Sequence, residues 1–188
     1  MNDLPQALVT NPNLSDWVKF DKVGMVVRVH TGKVELGQGI TTAIALIAAE
    51  ELDLRLDQVE VLTGSTNSGP NELMTVGSMS IEGSGGAVRQ VTAELRLLLL
   101  QRASVVLDAD IINLKVEEGL VKDSRSNRSI SYWDLNTNFE GLIVTGEVSV
   151  KPPSQYQLVG GTTTRLDLTK KVSGGVAFLQ DEITTETL

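Results

Sequence analysis

The chain has 188 residues, 16 Lys and Arg against 24 Asp and Glu, a formal net charge of −8 and no cysteine. That length suffices for one domain with a real core, or for a domain plus a tail. The acidic balance argues against a sequence-independent nucleic-acid binder, which needs a basic face, and the lack of cysteine excludes disulfides, zinc–thiolate sites and Fe–S ligation within the chain.

Residues 1–14 are polar and proline-punctuated and read as an N-terminal arm, without the basic and apolar regions of a signal peptide. Trp17 to Phe20 reads as a strand, residues 21–24 as a turn, and Met25 to His30 as the returning strand. Val34 to Leu36 is expected to extend the sheet as far as Gly37. A helix from about Gln38 to Leu52 follows, with Ile40, Ala43, Ile44, Ile47 and Ala48 on one apolar face. Glu50 and Glu51 sit near its C-terminal end, where the helix dipole does not help them, so a partner or solvent must offset them. Gln58 to Leu62 alternates as a strand should.

Thr63 to Thr75 is a long polar loop of the kind that often carries function. Beyond Gly77-Ser78-Met79-Ser80 a second helix runs to about Leu107, with Val88, Val91, Leu95, Leu98 and Leu99 at helical spacing. Ile112 to Glu117 and Leu120 to Lys122 flank Glu118-Gly119 as a hairpin. Ser131 to Leu135 suggests a short helix, and Gly141 to Val150 a strand. Pro152-Pro153 then breaks regular structure, and apolar residues are too sparse beyond it for an independent core. The fold class that results is α+β, a two-layer β-β-α-β-α-β unit with a mixed sheet over residues 15–150, followed by an extended linker over 151–188.

Two loops carry the candidate chemistry. Gly37-Gln38-Gly39 stands between a strand and a helix. Two readings are open: a tight turn and nothing more, or a cradle in which glycines allow close approach, a helix N-terminus offers N–H groups and the Gln38 amide both donates and accepts. Gly77-Ser78-Met79-Ser80 offers the same materials again, and the two loops are expected to lie side by side. No catalytic and no metal-ligating residue emerges. His30 is the only histidine, so a catalytic triad or a multi-histidine metal site has too few parts. Glu35, Glu72 and Glu82 could act as acids or bases, but nothing in their spacing singles out a pair.

Four segments form an ordered series: Val34-Glu35-Leu36-Gly37-Gln38-Gly39, Ala48-Ala49-Glu50-Glu51-Leu52, Thr75-Val76-Gly77-Ser78-Met79-Ser80 and Ser84-Gly85-Gly86-Ala87-Val88-Arg89. The series resembles the molybdopterin-binding subunit of the xanthine oxidase/aldehyde oxidase family, most of all the isoquinoline 1-oxidoreductase beta subunit and the nicotinate dehydrogenase large subunit. Arg165-Leu166-Asp167 and Lys171-Val172-Ser173-Gly174 resemble that group's entry into its hammerhead domain. The resemblance implies a molybdenum-cofactor-binding fold and an oxidoreductase that hydroxylates N-heteroaromatics or aldehydes with oxygen from water. It implies molybdopterin, as a dinucleotide, with molybdenum, and Fe–S clusters on a separate small partner subunit. It makes Gly37, Gln38 and Gly39 a cofactor-binding loop that contacts the pterin, and Gly77, Ser78, Met79 and Ser80 a second cofactor-binding loop near the phosphate. The family's catalytic glutamate lies in a C-terminal Gly-Glu motif that these residues lack. The chain is therefore expected to be an N-terminal fragment, inactive alone, whose partners are the remainder of the large subunit and the Fe–S subunit. The expected compartment is the cytoplasm, or the periplasm by partner-mediated export. The competing expectation is a scaffold domain that keeps the fold without cofactor.

Overall fold

A computed structural model describes residues 4–65, 67–175 and 178. Two short helices, α1 (Gln6–Thr10) and α2 (Leu14–Trp17), lead into β1 (Val18–Asp21) and β2 (Val26–Thr31). Helix α3 (Ile40–Leu52) crosses over to β3 (Val59–Thr63). A π-helical turn (Ser80–Gly85) runs directly into α4 (Gly86–Leu107), and β4 (Leu114–Glu117), β5 (Leu120–Asp123) and β6 (Ser129–Ser131) follow. The last α-helix among the described residues is α5 (Leu168–Val172). Among the described residues the strands form two sheets of three: β1-β2-β3, in which β2 is antiparallel to β1 and parallel to β3, and an antiparallel β4-β5-β6 meander. The first sheet is therefore mixed, and helices pack over it.

The elements follow from local pattern. β2 is central, so Val27 and Val29 are fully buried and its sequence is almost continuously apolar or β-branched. α3 is alanine-rich and buried on more than one face: Ile40, Ile44, Ala45, Ala48, Ala49 and Leu52 are all in the core. It begins after Gly39 in the left-handed region (φ 84°) and ends at Asp53, also left-handed, whose N–H closes on Ala49 O and Glu50 O. α4 lays Val88, Val91, Leu95 and Leu99 into the same core. The β4–β5 hairpin has a two-residue turn, Glu118-Gly119, with positive φ at both positions, which matches the right-handed twist of the flanking strands. A Cβ at Gly119 would stand 2.6 Å from the Trp133 ring, so only glycine fits there.

The structure departs from the sequence expectations in four places. Trp17 ends α2 instead of opening β1, because its indole N–H donates to Asn11 O (2.9 Å) and its ring is fully buried. Residues 34–36 leave the sheet: β3 stops at Thr63, and the backbone beyond Thr31 bonds to the 72–75 segment instead. Residues 141–150 form no strand; a single bridge joins Ile143 to Asn13, and the Glu94 carboxylate accepts the N–H groups of Thr145 and Gly146 in place of a ladder. Finally, residues 4–14 are more than an arm, since Leu8 and Leu14 are core residues at 1% exposure.

Residues 151–168 run back along α3, from its C-terminal end to its start. At the C-terminal end Glu51 accepts the Lys151 N–H (3.1 Å to each oxygen) and Glu50 accepts the N–H groups of Gln157, Leu158 and Val159 (2.9, 2.7 and 3.0 Å to Oε2). The Lys151 ammonium is buried against the Glu50 carbonyl and Asp53 Oδ1. At the start of α3, Leu166 N–H donates to Thr42 Oγ1 (3.0 Å). The amides of this segment are thus the partners, in place of solvent, that offset the two glutamates, and the glutamate side chains act in return as anchors. They hold a segment that has little apolar surface with which to hold itself.

Candidate functional site

The two glycine loops grow from neighbouring points at one end of the first sheet. After Thr31 the chain is pinned to the 72–75 segment. Glu72 is buried, and its Oε2 accepts from Thr31 Oγ1 (2.7 Å), Gly32 N (2.8 Å) and Ser84 Oγ (3.0 Å). The buried Lys33 ammonium donates to the carbonyls of Glu72 (2.7 Å) and Met74 (3.0 Å), and Val34 N donates to Thr75 Oγ1 (2.9 Å). One carboxylate thus ties together β2, the long polar loop and the π-helical turn. That network gives Glu72 and Thr75 a structural task. Glu82, by contrast, is exposed.

In the first loop Gln38 lies between the chain leaving the sheet and the start of α3. Its side chain is exposed and folds back: Oε1 accepts from Leu36 N (2.6 Å) and Nε2 donates to Val34 O (3.0 Å). One N–H and one lone pair of the amide remain, with the orientation fixed. Gly37 and Gly39 both have positive φ, 104° and 84°. The helix start itself is filled from within the chain. Glu35 accepts from Gly37 N (2.8 Å), Gly39 N (2.8 Å) and Thr41 N (3.2 Å). A carboxylate at a helix N-terminus is favoured by the dipole as well as by the donors.

Burial tends to raise the Glu35 pKa, but the amides of Gly39, Thr41 and Gly37 outweigh it and hold the carboxyl below the ordinary glutamate value. A depressed folded pKa contributes stability that is present above the unfolded pKa and lost as pH falls through the folded one. The midpoint gap between wild type and Glu35→Gln is therefore expected to be widest at neutral pH and to close on acidification. Thermal scans from about pH 7 to about pH 3 check this; a gap that does not vary with pH would contradict it.

The second loop differs in its electrostatics. Gly77 and Ser78 both have positive φ (67° and 58°), and residues 76–79 are exposed. Within the helical run the first loop-closing bond is Gly83 N to Met79 O (2.8 Å). Among the described residues no acceptor meets the N–H groups of Ser80, Ile81 and Glu82. π-helical turns are rare and concentrate at functional sites, and this one heads a continuous helix of more than twenty residues. Several large apolar side chains of the two loops face solvent: Leu36, Leu73, Met74, Val76, Met79 and Ile81 are each about half exposed or more. Alongside the turn, a groove of about 300 Å³ runs between Ile47, Ile81, Tyr156 and Val159.

No hydrogen bond joins residues 37–39 directly to 77–80 among the described residues. The segments leading into them are bonded, and Gly85 of the π-turn packs against Ile47 of α3, where a Cβ would come within 3.1 Å of Ile47 Cδ1. Sequence reasoning missed Glu35 as a cap, although an acidic residue just ahead of a helix start is its signal. It also missed Arg165 and Asp167. These form a bidentate pair (2.9 and 2.7 Å), from which Arg165 Nη1 reaches Gly37 O (3.0 Å). Among the described residues no group of three or more histidine or acidic side chains is arranged to hold a metal ion, and no helix is long and apolar enough to cross a membrane.

Known proteins resemble this chain in sequence and, over part of its length, in fold. A family described as molybdopterin cofactor-binding domain matches residues 5–187. A nicotinate dehydrogenase subunit of Pseudomonas putida is 34% identical over 92% of the chain and 14% of its own length. The isoquinoline 1-oxidoreductase beta subunit of Brevundimonas diminuta is 25% identical over 94% of the chain and 27% of its own length. Among solved structures, quinoline 2-oxidoreductase from Pseudomonas putida 86 superposes with a TM-score of 0.50 at 26% identity, covering 62% of this chain and 15% of that one. CO dehydrogenase from Oligotropha carboxidovorans gives 0.55 at 22% identity over 62% of this chain and 15% of that one, a likeness of fold. The chain thus spans about a quarter or less of the curated relatives it matches.

Proposed function

Because this chain belongs to the molybdopterin cofactor-binding domain family, we propose that it forms part of the cofactor cradle of a molybdenum hydroxylase large subunit. The observation that carries the reading is the exposed Gly77–Ser80 loop, with three N–H groups left open behind it at the head of a long helix. Such a helix start is an anion site. The Ser80, Ile81 and Glu82 amides with the Ser78 and Ser80 hydroxyls would receive the cofactor phosphate, and Gly77 and Met79 would line it. Gln38 would offer its remaining amide donor and acceptor to a polar edge of the pterin, approached closely across Gly37 and Gly39. The residues present suit the group. That Glu35 occupies the start of α3 supports giving the phosphate to the second loop and the heterocycle to the first, as the resemblance implies.

The cofactor would supply the redox chemistry, oxidising an N-heteroaromatic or an aldehyde with oxygen drawn from water. The names of the relatives, nicotinate and isoquinoline among them, favour the heteroaromatic. The role left to these residues is to bind and orient. A dinucleotide form of the pterin, an Fe–S partner subunit and a catalytic glutamate from the remainder of the large subunit complete the proposal, in the cytoplasm or exported with the partner. The exposed apolar side chains of both loops suit a face that the larger assembly covers. The alternative, a scaffold without cofactor, is favoured only by Glu35 filling the first helix start.

Hydrogen exchange on the complete subunit, made in hosts with and without pterin synthesis, tests the proposal. Slower exchange at residues 77–82 and at Gln38 in the loaded form is expected. Protection confined to other segments would favour the scaffold.

A further inference from the structure

We infer that Arg165 is a positioning residue for the Gly37–Gly39 turn, and that residues 151–168 are a strap that delivers it there. The geometry is continuous. Glu50 and Glu51 fix the strap at the C-terminal end of α3 through the amides of residues 151 and 157–159. The strap then follows the helix to its start, where Leu166 N donates to Thr42 Oγ1 (3.0 Å). There Arg165 divides its donors. Nε and Nη2 form the bidentate pair with Asp167, and Nη1 donates to Gly37 O (3.0 Å). Nη2 also lies 3.7 Å from Glu35 Oε1, the carboxylate that holds the Gly37, Gly39 and Thr41 amides. Asp167 is in turn bound by Lys171 at 2.6 Å.

One guanidinium therefore contacts the carbonyl of the turn and the carboxylate that caps it. Its planar fork supplies these contacts at once, which an ammonium cannot do. The guanidinium lies over Gly39, where a Cβ would meet Arg165 Cζ at an ordinary contact distance of 3.5 Å. Both flanking glycines have positive φ, a region with little intrinsic bias of its own for glycine. Glu35 and Gln38 hold the turn from within, and Arg165 adds a restraint from the strap that fixes both the Gly37 carbonyl and the position of the Glu35 carboxylate. Arg165 itself is partly exposed, at 38% of its side chain, so its removal leaves the core intact.

The consequence for cofactor binding rests on the function proposed above; the restraint on the turn does not. The test is hydrogen exchange on the purified chain, comparing wild type with Arg165→Ala and Asp167→Asn. Arg165→Ala is expected to speed exchange of the Gly37, Gly39 and Thr41 amides by about tenfold or more, with the amides of β2 and of Ala48 to Leu52 unchanged. Asp167→Asn, which frees the guanidinium from its orienting partner, is expected to loosen the same amides by less. Arg165→Lys is expected to restore only part of the protection. Unchanged exchange at residues 37–41 in both Arg165→Ala and Asp167→Asn would overturn the inference, as would acceleration spread evenly over the whole chain in both. If the turn loosens in Arg165→Ala while molybdenum content of the complete subunit is unaffected, the restraint stands and the cofactor reading of that loop fails.

Discussion

Replacing Glu51 by alanine is expected to lower the folding stability by about 3–5 kcal/mol, the cost of breaking a buried ionic network by removing one partner. Glu51 is 1% exposed. Its carboxylate accepts from Arg89 Nε (3.1 Å) and from Lys151 N, and Arg96 Nη2 lies 3.9 Å away. Alanine would leave two guanidinium groups and a buried N–H facing a cavity. Arg89 would keep only its bond to Lys151 O and its place over the Tyr156 ring. The strap would lose its first anchor at the same time. Glu51→Gln keeps the volume and one acceptor but turns an NH₂ group toward Arg89, so it should fall between alanine and wild type. Urea unfolding of the three proteins measures this. A change below about 1 kcal/mol for alanine would mean that water or the arginines themselves compensate. Substituting the exposed Asp57, which pairs with Arg55 at the surface, is the control, and little change is expected there.

Glu51 also shows why parts of this fold could not be read from the sequence. β2, α3, β3 and α4 were legible because apolar periodicity and alanine content act within a few residues. The β4–β5 hairpin was legible because Glu118-Gly119 is a local turn signal. Glu51 and Lys151 are 100 residues apart, and no local pattern connects them. The sequence showed that the two glutamates at the end of α3 needed a partner or solvent; only the fold shows that the strap amides, Lys151 and Arg89 take that place. The same limit explains residues 141–150. Their composition suits a strand, yet their amides go to Glu94 on α4, a competitor that strand propensity cannot see.

The candidate site was legible to a different degree. Both glycine loops were located, with Gln38 between the sheet and α3. The proposed division of labour between them, pterin at the first and phosphate at the second, came from the resemblance; the physical reason for it was not legible. It depends on Glu35, whose carboxylate takes the donors of the first helix start, and on the π-helical turn, which leaves those of Ser80 to Glu82 open. Neither follows from glycine spacing. Arg165 lies 128 residues from the Gly37 carbonyl it contacts and belongs to a segment that reads as a linker.

Gln38→Ala is the second large effect, and it separates a ligand residue from a turn residue. The side chain is exposed and outside the core. Its two bonds, to Leu36 N and Val34 O, are short-range and can be replaced by water. The loss of stability should therefore stay within about 1 kcal/mol. A polar edge of a bound pterin left without its partner loses more, about 1–3 kcal/mol of binding, or roughly five- to 150-fold in affinity. Molybdenum content and thermal midpoint, measured together on wild-type and Gln38→Ala forms of the complete subunit purified with the proposed Fe–S partner, decide the matter. A clear fall in molybdenum occupancy with a midpoint close to wild type is the result expected of a ligand residue. Full occupancy together with a large fall in midpoint would show that Gln38 only shapes the turn, and would contradict that role.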